Sequence, residues 1–150
     1  MDEITSSKIN LEISKIDTLV QKSSVLLSKC NIEEPDFIEL NAIGSILHSY
    51  YSGIESIFNL IYKTTYGKSL SGTTWHSDLF TDLFAKTEKH EPILRHELFQ
   101  PLKEYLGFRH VFRHAYSYEL DWKRLKPLFS GLTENLNDVK SDINRFLLTF

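Results

Sequence analysis

Apolar residues recur at alternating steps of three and four through the C-terminal segment, and this spacing constrains the fold more than any other feature. A repeat of this kind places all of the apolar side chains on one side of a helix. Pro127 lies inside the stripe and predicts a kink or a loose first turn, because proline lacks the N–H that a helix interior requires. The stripe consists of Trp122, Leu125, Phe129, Leu132, Leu136, Val139, Ile143, Phe146 and Phe150.

Helical spacing also characterises the rest of the chain. It predicts helices over residues 5–29, from the proline-containing segment 31–36 to residue 66, over residues 75–86, and up to about residue 115. Pro101 either kinks the fourth of these helices or lies near its start. No segment alternates with period two, so we predict no strands. The predicted fold class is all-α, an up-and-down bundle of four or five helices that forms one domain over residues 1–150.

Composition excludes several classes of protein. With 41% hydrophobic residues the chain has the material for a core, which excludes intrinsic disorder, and the net charge of −3 is not that of a generally basic nucleic-acid binder. Because Cys30 is the one cysteine, no internal disulfide or multi-cysteine zinc site forms, which fits a reducing compartment. The first residues lack the features of a secretory signal, and no apolar run approaches 18 residues. We therefore expect a cytoplasmic protein.

A basic patch stands out against this acidic background. Residues 101–126 carry a net charge of +3 and the remainder carries −6, before histidines are counted. On a continuous helix Phe108, Val111, Phe112 and Ala115 share one face, while Arg109, His110, Arg113, His114, Tyr116 and Ser117 share the other. A charge cluster alone is more often a solvated surface. The two histidines favour a functional site, because imidazole exchanges protons near neutral pH.

The spacing of Arg109, His114 and Tyr116 resembles the R-x4-H-x-Y motif of the HepT-like toxin branch of the HEPN superfamily. The Trp75-His76-x-x-Leu79 element is also similar to HepT-like proteins. The resemblance implies metal-independent RNA cleavage, for example of tRNA, by a homodimer whose two motifs line a shared cleft. It implies no cofactor and no metal.

The resemblance assigns roles to the motif residues. His114 deprotonates a ribose 2′-OH or protonates the leaving 5′-oxygen, and Arg109 neutralises charge on the phosphorane. On one straight helix the two side chains are about 140° apart, so either a bend near Ala115 or a second copy must bring them together. Tyr116 is implied as the site at which a minimal nucleotidyltransferase antitoxin attaches AMP and silences the nuclease.

Other residues have supporting roles. His110 and Arg113 are expected to place substrate, and Glu55 either orients Arg109 or is an exposed helix glutamate. His76 either caps the third helix or reaches the cleft, and Trp75 is expected to pack. No companions are visible for His48, His90 and His96, and Cys30 is expected to be a small buried or helix-end thiol.

Two further interpretations remain open at this level. One is a non-catalytic HEPN subunit that binds nucleotide and partners a nucleotidyltransferase, which needs the arginine but not the proton-transfer group. The other is a structural helical interaction module, for which the C-terminal stripe is sufficient.

Overall fold

The computed structural model describes residues 1–149, and within that range helices and short loops make up the whole fold. The prediction of an all-α fold is confirmed, with no strand among the described residues. The helices are α1 (Glu3–Cys30), α2 (Phe37–Tyr66), α3 (Trp75–Phe84), α4 (Phe99–Phe112), α5 (Trp122–Ser130) and α6 (Leu132–Leu147). Single 3-10 turns, His96–Leu98 and Ser117–Glu119, precede and follow α4.

Capping residues fix the ends of the long helices. The Asp2 side chain accepts the backbone N–H of Thr5 at 2.6 Å, so α1 begins near the N-terminus. Asp36 and Glu39 form a reciprocal capping box at the start of α2. At the other end of α2, Gly67 adopts a φ of 71°, a left-handed conformation that glycine enters without steric cost.

The apolar stripe of the C-terminal segment spans two helices, where the sequence predicted one. The break lies at Gly131, four residues after the proline, and a Cβ at Gly131 would lie 3.1 Å from the carbonyl oxygen of Pro127. Next to the break, the Tyr105 hydroxyl donates to the Leu128 carbonyl at 2.6 Å and joins α4 to α5. From Leu125 to Phe146 every residue of the stripe is nevertheless buried, Trp122 is partly buried, and Phe150 lies outside the described residues.

Helix α2 is the centre of the bundle. It packs against α1, α3, α4 and α5, and α6 packs against α1 and α5.

Pro101 lies in the first turn of α4, where backbone N–H groups have no partner within the helix, so the N–H that proline lacks is not needed there. Cys30 is buried at the end of α1, and this burial raises the pKa of its thiol, which disfavours the reactive thiolate. Among residues 1–149, no helix combines the length and apolar character needed to cross a bilayer.

A buried hydrogen bond between Tyr50 and Asn135 connects α2 to α6, with 2.5 Å between the hydroxyl and the amide oxygen. We expect Tyr50→Phe to lower the free energy of unfolding by about 1–3 kcal/mol, because the Asn135 amide loses its partner in an apolar setting. Tm should fall by about 2–4 °C for each kcal/mol. Denaturant unfolding measures the effect.

The matched control replaces both partners. Tyr50→Phe combined with Asn135→Leu removes the unsatisfied amide, so the double variant should be more stable than Tyr50→Phe alone. If the stability loss of the double variant equals the sum of the losses of Tyr50→Phe and Asn135→Leu alone, the hydrogen bond carries no coupling energy.

Candidate functional site

Polar and small residues form a stripe along the face of α2 that meets α4 and the segment after it. The stripe consists of Asn41, Gly44, His48, Ser52 and Glu55, at steps of three, four, four and three. This spacing keeps all five on one side of the helix. Their contacts with α3, with α4 and with the loop after α4 build the candidate site.

Among the polar residues of this stripe, Glu55 is the most buried, with 5% of its surface exposed. Its Oε1 lies 3.6 Å from Nη2 of Arg109, and its Oε2 lies 2.7 Å from Nδ1 of His76. Arg109 also donates from Nε to the Ser52 hydroxyl at 3.3 Å. The structure therefore buries Glu55 beside Arg109, and Glu55 is not an exposed helix glutamate. One carboxylate bridges α3 and α4 and fixes the orientation of the guanidinium.

His76 reaches this carboxylate from the first turn of α3. The Trp75 ring packs against the His76 ring, with 3.6 Å between centroids and 30° between planes. Trp75 is partly buried against the core, so it packs as predicted and also restricts the imidazole. The structure distinguishes the two alternatives for His76: its side chain contacts Glu55 in the candidate site, while the N-cap residue Thr74 makes no side-chain capping bond.

Helix α4 ends at Phe112, three residues earlier than the sequence predicted. The backbone N–H groups of His114 and Ala115 both donate to the Val111 carbonyl, at 3.1 and 2.9 Å, and close a turn. The helix therefore does not extend far enough to place all six polar residues of this run on one face, and that prediction is wrong for the residues after Phe112, namely Arg113, His114, Tyr116 and Ser117. Phe112 packs over Gly44, where a Cβ would lie only 2.8 Å from the ring, and this contact seats the end of α4 on α2.

The turn brings His114 back against the last turn of α4. The His110 and His114 rings lie 5.2 Å apart with an interplanar angle of 63°, and both side chains are exposed. Arg113 is also exposed. Cationic side chains at this position are stabilised by the carboxyl end of the α4 dipole. The motif histidine therefore lies in solvent, whereas Arg109 is 15% exposed.

Tyr116 continues the turn in an extended conformation. Its backbone N–H donates to the Glu119 carboxylate at 3.2 Å, and Asn41 of the α2 stripe donates to the Ser117 carbonyl at 3.3 Å. The rings of Tyr116 and Tyr118 stack nearly parallel, 5.7 Å between centroids, and both are more than two-thirds exposed. The Tyr116 hydroxyl is consequently accessible from solvent.

His48 is a member of the site that sequence reasoning missed. Its ring packs against Phe112 at 5.4 Å between centroids. Burial lowers the pKa of His48, and the positive charges of Arg109 and Arg113 lower it further. The signal that identifies both His48 and Ser52 is their helical register with Glu55, seven and three residues before it.

We expect NMR titration to find the pKa of His48 below 6.5, and the Arg113→Gln variant to raise it because one repelling charge is removed. The remote variant Lys103→Gln should leave it unchanged. As pH falls, His48 is protonated in the unfolded chain at a higher pH than in the folded protein. His48 should therefore contribute stability above pH 6.5, and this stability is lost as pH falls towards its folded pKa. A His48 pKa at or above 6.5 would contradict this environment.

The other histidines lie elsewhere. The side chain of His90, for which the sequence shows no companion, is almost fully buried, with Nε2 3.0 Å from the Tyr66 hydroxyl and Nδ1 2.8 Å from the Glu91 carbonyl. His96 is exposed in the 3-10 turn before α4. Within the described part of the chain, no cluster of three or more histidine, cysteine or acidic side chains has the arrangement of a metal site.

Comparison with known proteins identifies one relationship. A family model described as HepT-like protein matches residues 42–150. No curated protein and no solved structure matches the chain. The matched region contains every residue of the site described above except Asn41.

Proposed function

The chain belongs to the HepT-like protein family, a branch of the HEPN superfamily, and from this premise we propose that it is a metal-independent endoribonuclease toxin. The proposed reaction is attack of a ribose 2′-oxygen on the adjacent phosphorus. Arg109 stabilises the phosphorane, and His114 transfers a proton at the 2′- or the 5′-oxygen.

The observation that carries this proposal is the fixed guanidinium of Arg109. Ser52 and Glu55 hold it from one side, through Nε and Nη2, and leave further N–H donors for a phosphate. Donors held in place before the reaction stabilise developing charge without reorganisation. A solvated basic surface needs no such buried counter-charge.

The residues that follow Arg109 in the sequence would supply the rest of a nuclease site. His114 is exposed and free to approach a ribose, and we propose that His110 and Arg113 place the substrate beside it. The parallel rings of Tyr116 and Tyr118 offer a surface on which a base can stack. These contacts suit single-stranded RNA, which presents unstacked bases and a phosphate backbone.

We propose that the active form is a homodimer with a composite site, as the family resemblance implies. The half-exposed apolar side chain of Val111 borders the motif, and a groove of about 700 Å³ between α4 and α5 continues from it. A two-fold axis near this edge of α4 would place the motifs of the two copies opposite each other across a cleft.

We further propose that a minimal nucleotidyltransferase acts as the antitoxin and attaches AMP to Tyr116. The exposure of the Tyr116 ring supports this, because a transferase must reach its hydroxyl. The added phosphate would be attached to a residue only a few positions after Arg113 and His114. There it would compete with the phosphates of RNA.

A matched pair of oligonucleotides tests the ribonuclease proposal. One is an RNA, and the other has the same sequence with 2′-deoxyribose throughout. We expect the protein to cleave the RNA and to leave the deoxy oligonucleotide intact, because the second lacks the attacking 2′-hydroxyl. Binding of RNA or nucleotide without any cleavage would favour the non-catalytic subunit, which lacks the nuclease step.

A further inference from the structure

We propose that His76 is the general base of the RNA cleavage reaction, a role that rests on the ribonuclease activity proposed above. Cleavage by 2′-oxygen attack needs two proton transfers, one from the 2′-OH and one to the leaving 5′-oxygen. His114 supplies one of them. The second group has to lie beside the phosphate held by Arg109, and His76 shares the Glu55 carboxylate with that arginine.

The contact with Glu55 determines which nitrogen of His76 is available. A carboxylate that faces a guanidinium accepts hydrogen bonds, so Nδ1 of His76, 2.7 Å away, carries the proton that it donates to Oε2. In the neutral ring the lone pair is then on Nε2. In many hydrolases a carboxylate holds the catalytic histidine in one tautomer and one orientation, so that the histidine acts as a general base.

The remaining surroundings leave Nε2 accessible. The Trp75 ring covers one face of the imidazole and restricts its rotation. The His76 side chain is 29% exposed, and within residues 1–149 Nε2 has no hydrogen-bond partner. A histidine that only satisfied the buried Glu55 would need neither this exposed edge nor the stacked indole.

The proposed step balances without a co-reactant. Nε2 of His76 takes the proton of the 2′-OH while the 2′-oxygen forms a bond to phosphorus. The bond between phosphorus and the 5′-oxygen breaks, and protonated His114 gives its proton to that oxygen. The products are a 2′,3′-cyclic phosphate and a 5′-hydroxyl, with His76 protonated and His114 neutral.

The His76→Asn variant separates the catalytic role from a structural one. The Asn amide is able to donate to Glu55 in place of Nδ1, but nothing replaces Nε2. We expect kcat to fall by about 100-fold or more, with unchanged affinity for the deoxy oligonucleotide and an unchanged circular dichroism spectrum. His96→Asn, an exposed histidine, is the matched control and should behave as the wild type.

The pH dependence of kcat/KM and the dependence of cleavage on the leaving group should both change if His76 is a general base, and neither should change if its role is only structural. His76→Asn should lose the acidic limb of the kcat/KM profile. A substrate with a 5′-thiolate leaving group needs no general acid, so it should restore cleavage to His114→Ala but not to His76→Asn. Wild-type cleavage and pH profile in His76→Asn would overturn this role alone. If the wild type itself does not cleave RNA, the ribonuclease proposal fails and this role fails with it.

Discussion

Replacing Arg109 with alanine should reduce RNA cleavage by at least about 100-fold, the effect of removing one fixed donor from a developing oxyanion. The loss should appear in kcat more than in KM, because the guanidinium contributes most when charge builds on the phosphorane. Single-turnover cleavage of a fluorescent RNA measures the effect. Growth inhibition on expression should disappear with it.

Two variants control for charge and folding. Arg113→Ala removes an exposed guanidinium from the same patch and should weaken cleavage only a few-fold, through substrate placement. Arg109→Lys keeps the charge beside Glu55 but lacks the forked donors, so it should fold normally and remain strongly impaired. Arg109→Ala with wild-type activity and an intact helical spectrum would contradict the role given to the fixed guanidinium.

His114→Ala should reduce cleavage by a factor of about 10²–10⁴, the usual contribution of a positioned proton-transfer group. The side chain is exposed after the end of α4, so its loss should leave the free energy of unfolding nearly unchanged. Binding of the deoxy oligonucleotide should persist. Kinetics, denaturant unfolding and binding measured on one preparation separate these three quantities.

His110→Ala is the matched control for this prediction. The two rings touch, and they differ in that His110 belongs to α4 whereas His114 follows the turn. We expect the His110 variant to lose much less activity. Equal losses in the two variants would mean that the motif histidine has no special role.

Much of the fold is predictable from the sequence because amphipathic spacing acts within a single element. The spacing over the first helices and the burial of the C-terminal stripe are examples, as is the end of α2 at Gly67. The break at Gly131 is not predictable in this way, because the apolar spacing continues across it without a shift. The early end of α4 is not predictable either, because the packing of Phe112 over Gly44 depends on α2, a distant segment of chain.

The candidate site also has one part that the sequence predicts and one part that it does not. Arg109, His114 and Tyr116 are close in sequence, so their spacing alone identifies them as a group. The environment of Glu55 depends on residues 21 and 54 positions away, and helical periodicity carries no information about such contacts. For the same reason the sequence left two interpretations of Glu55 and of His76, and tertiary packing distinguishes between them.

The most direct test of the account is cleavage of tRNA and total RNA in EDTA, with identification of the product ends. We predict that the purified, unmodified wild-type protein cleaves under these conditions and leaves 2′,3′-cyclic or 3′-phosphate ends, while His114→Ala prepared in parallel does not. Absence of cleavage by the wild type, or products with 3′-hydroxyl ends, would contradict a metal-independent nuclease that acts through the 2′-oxygen.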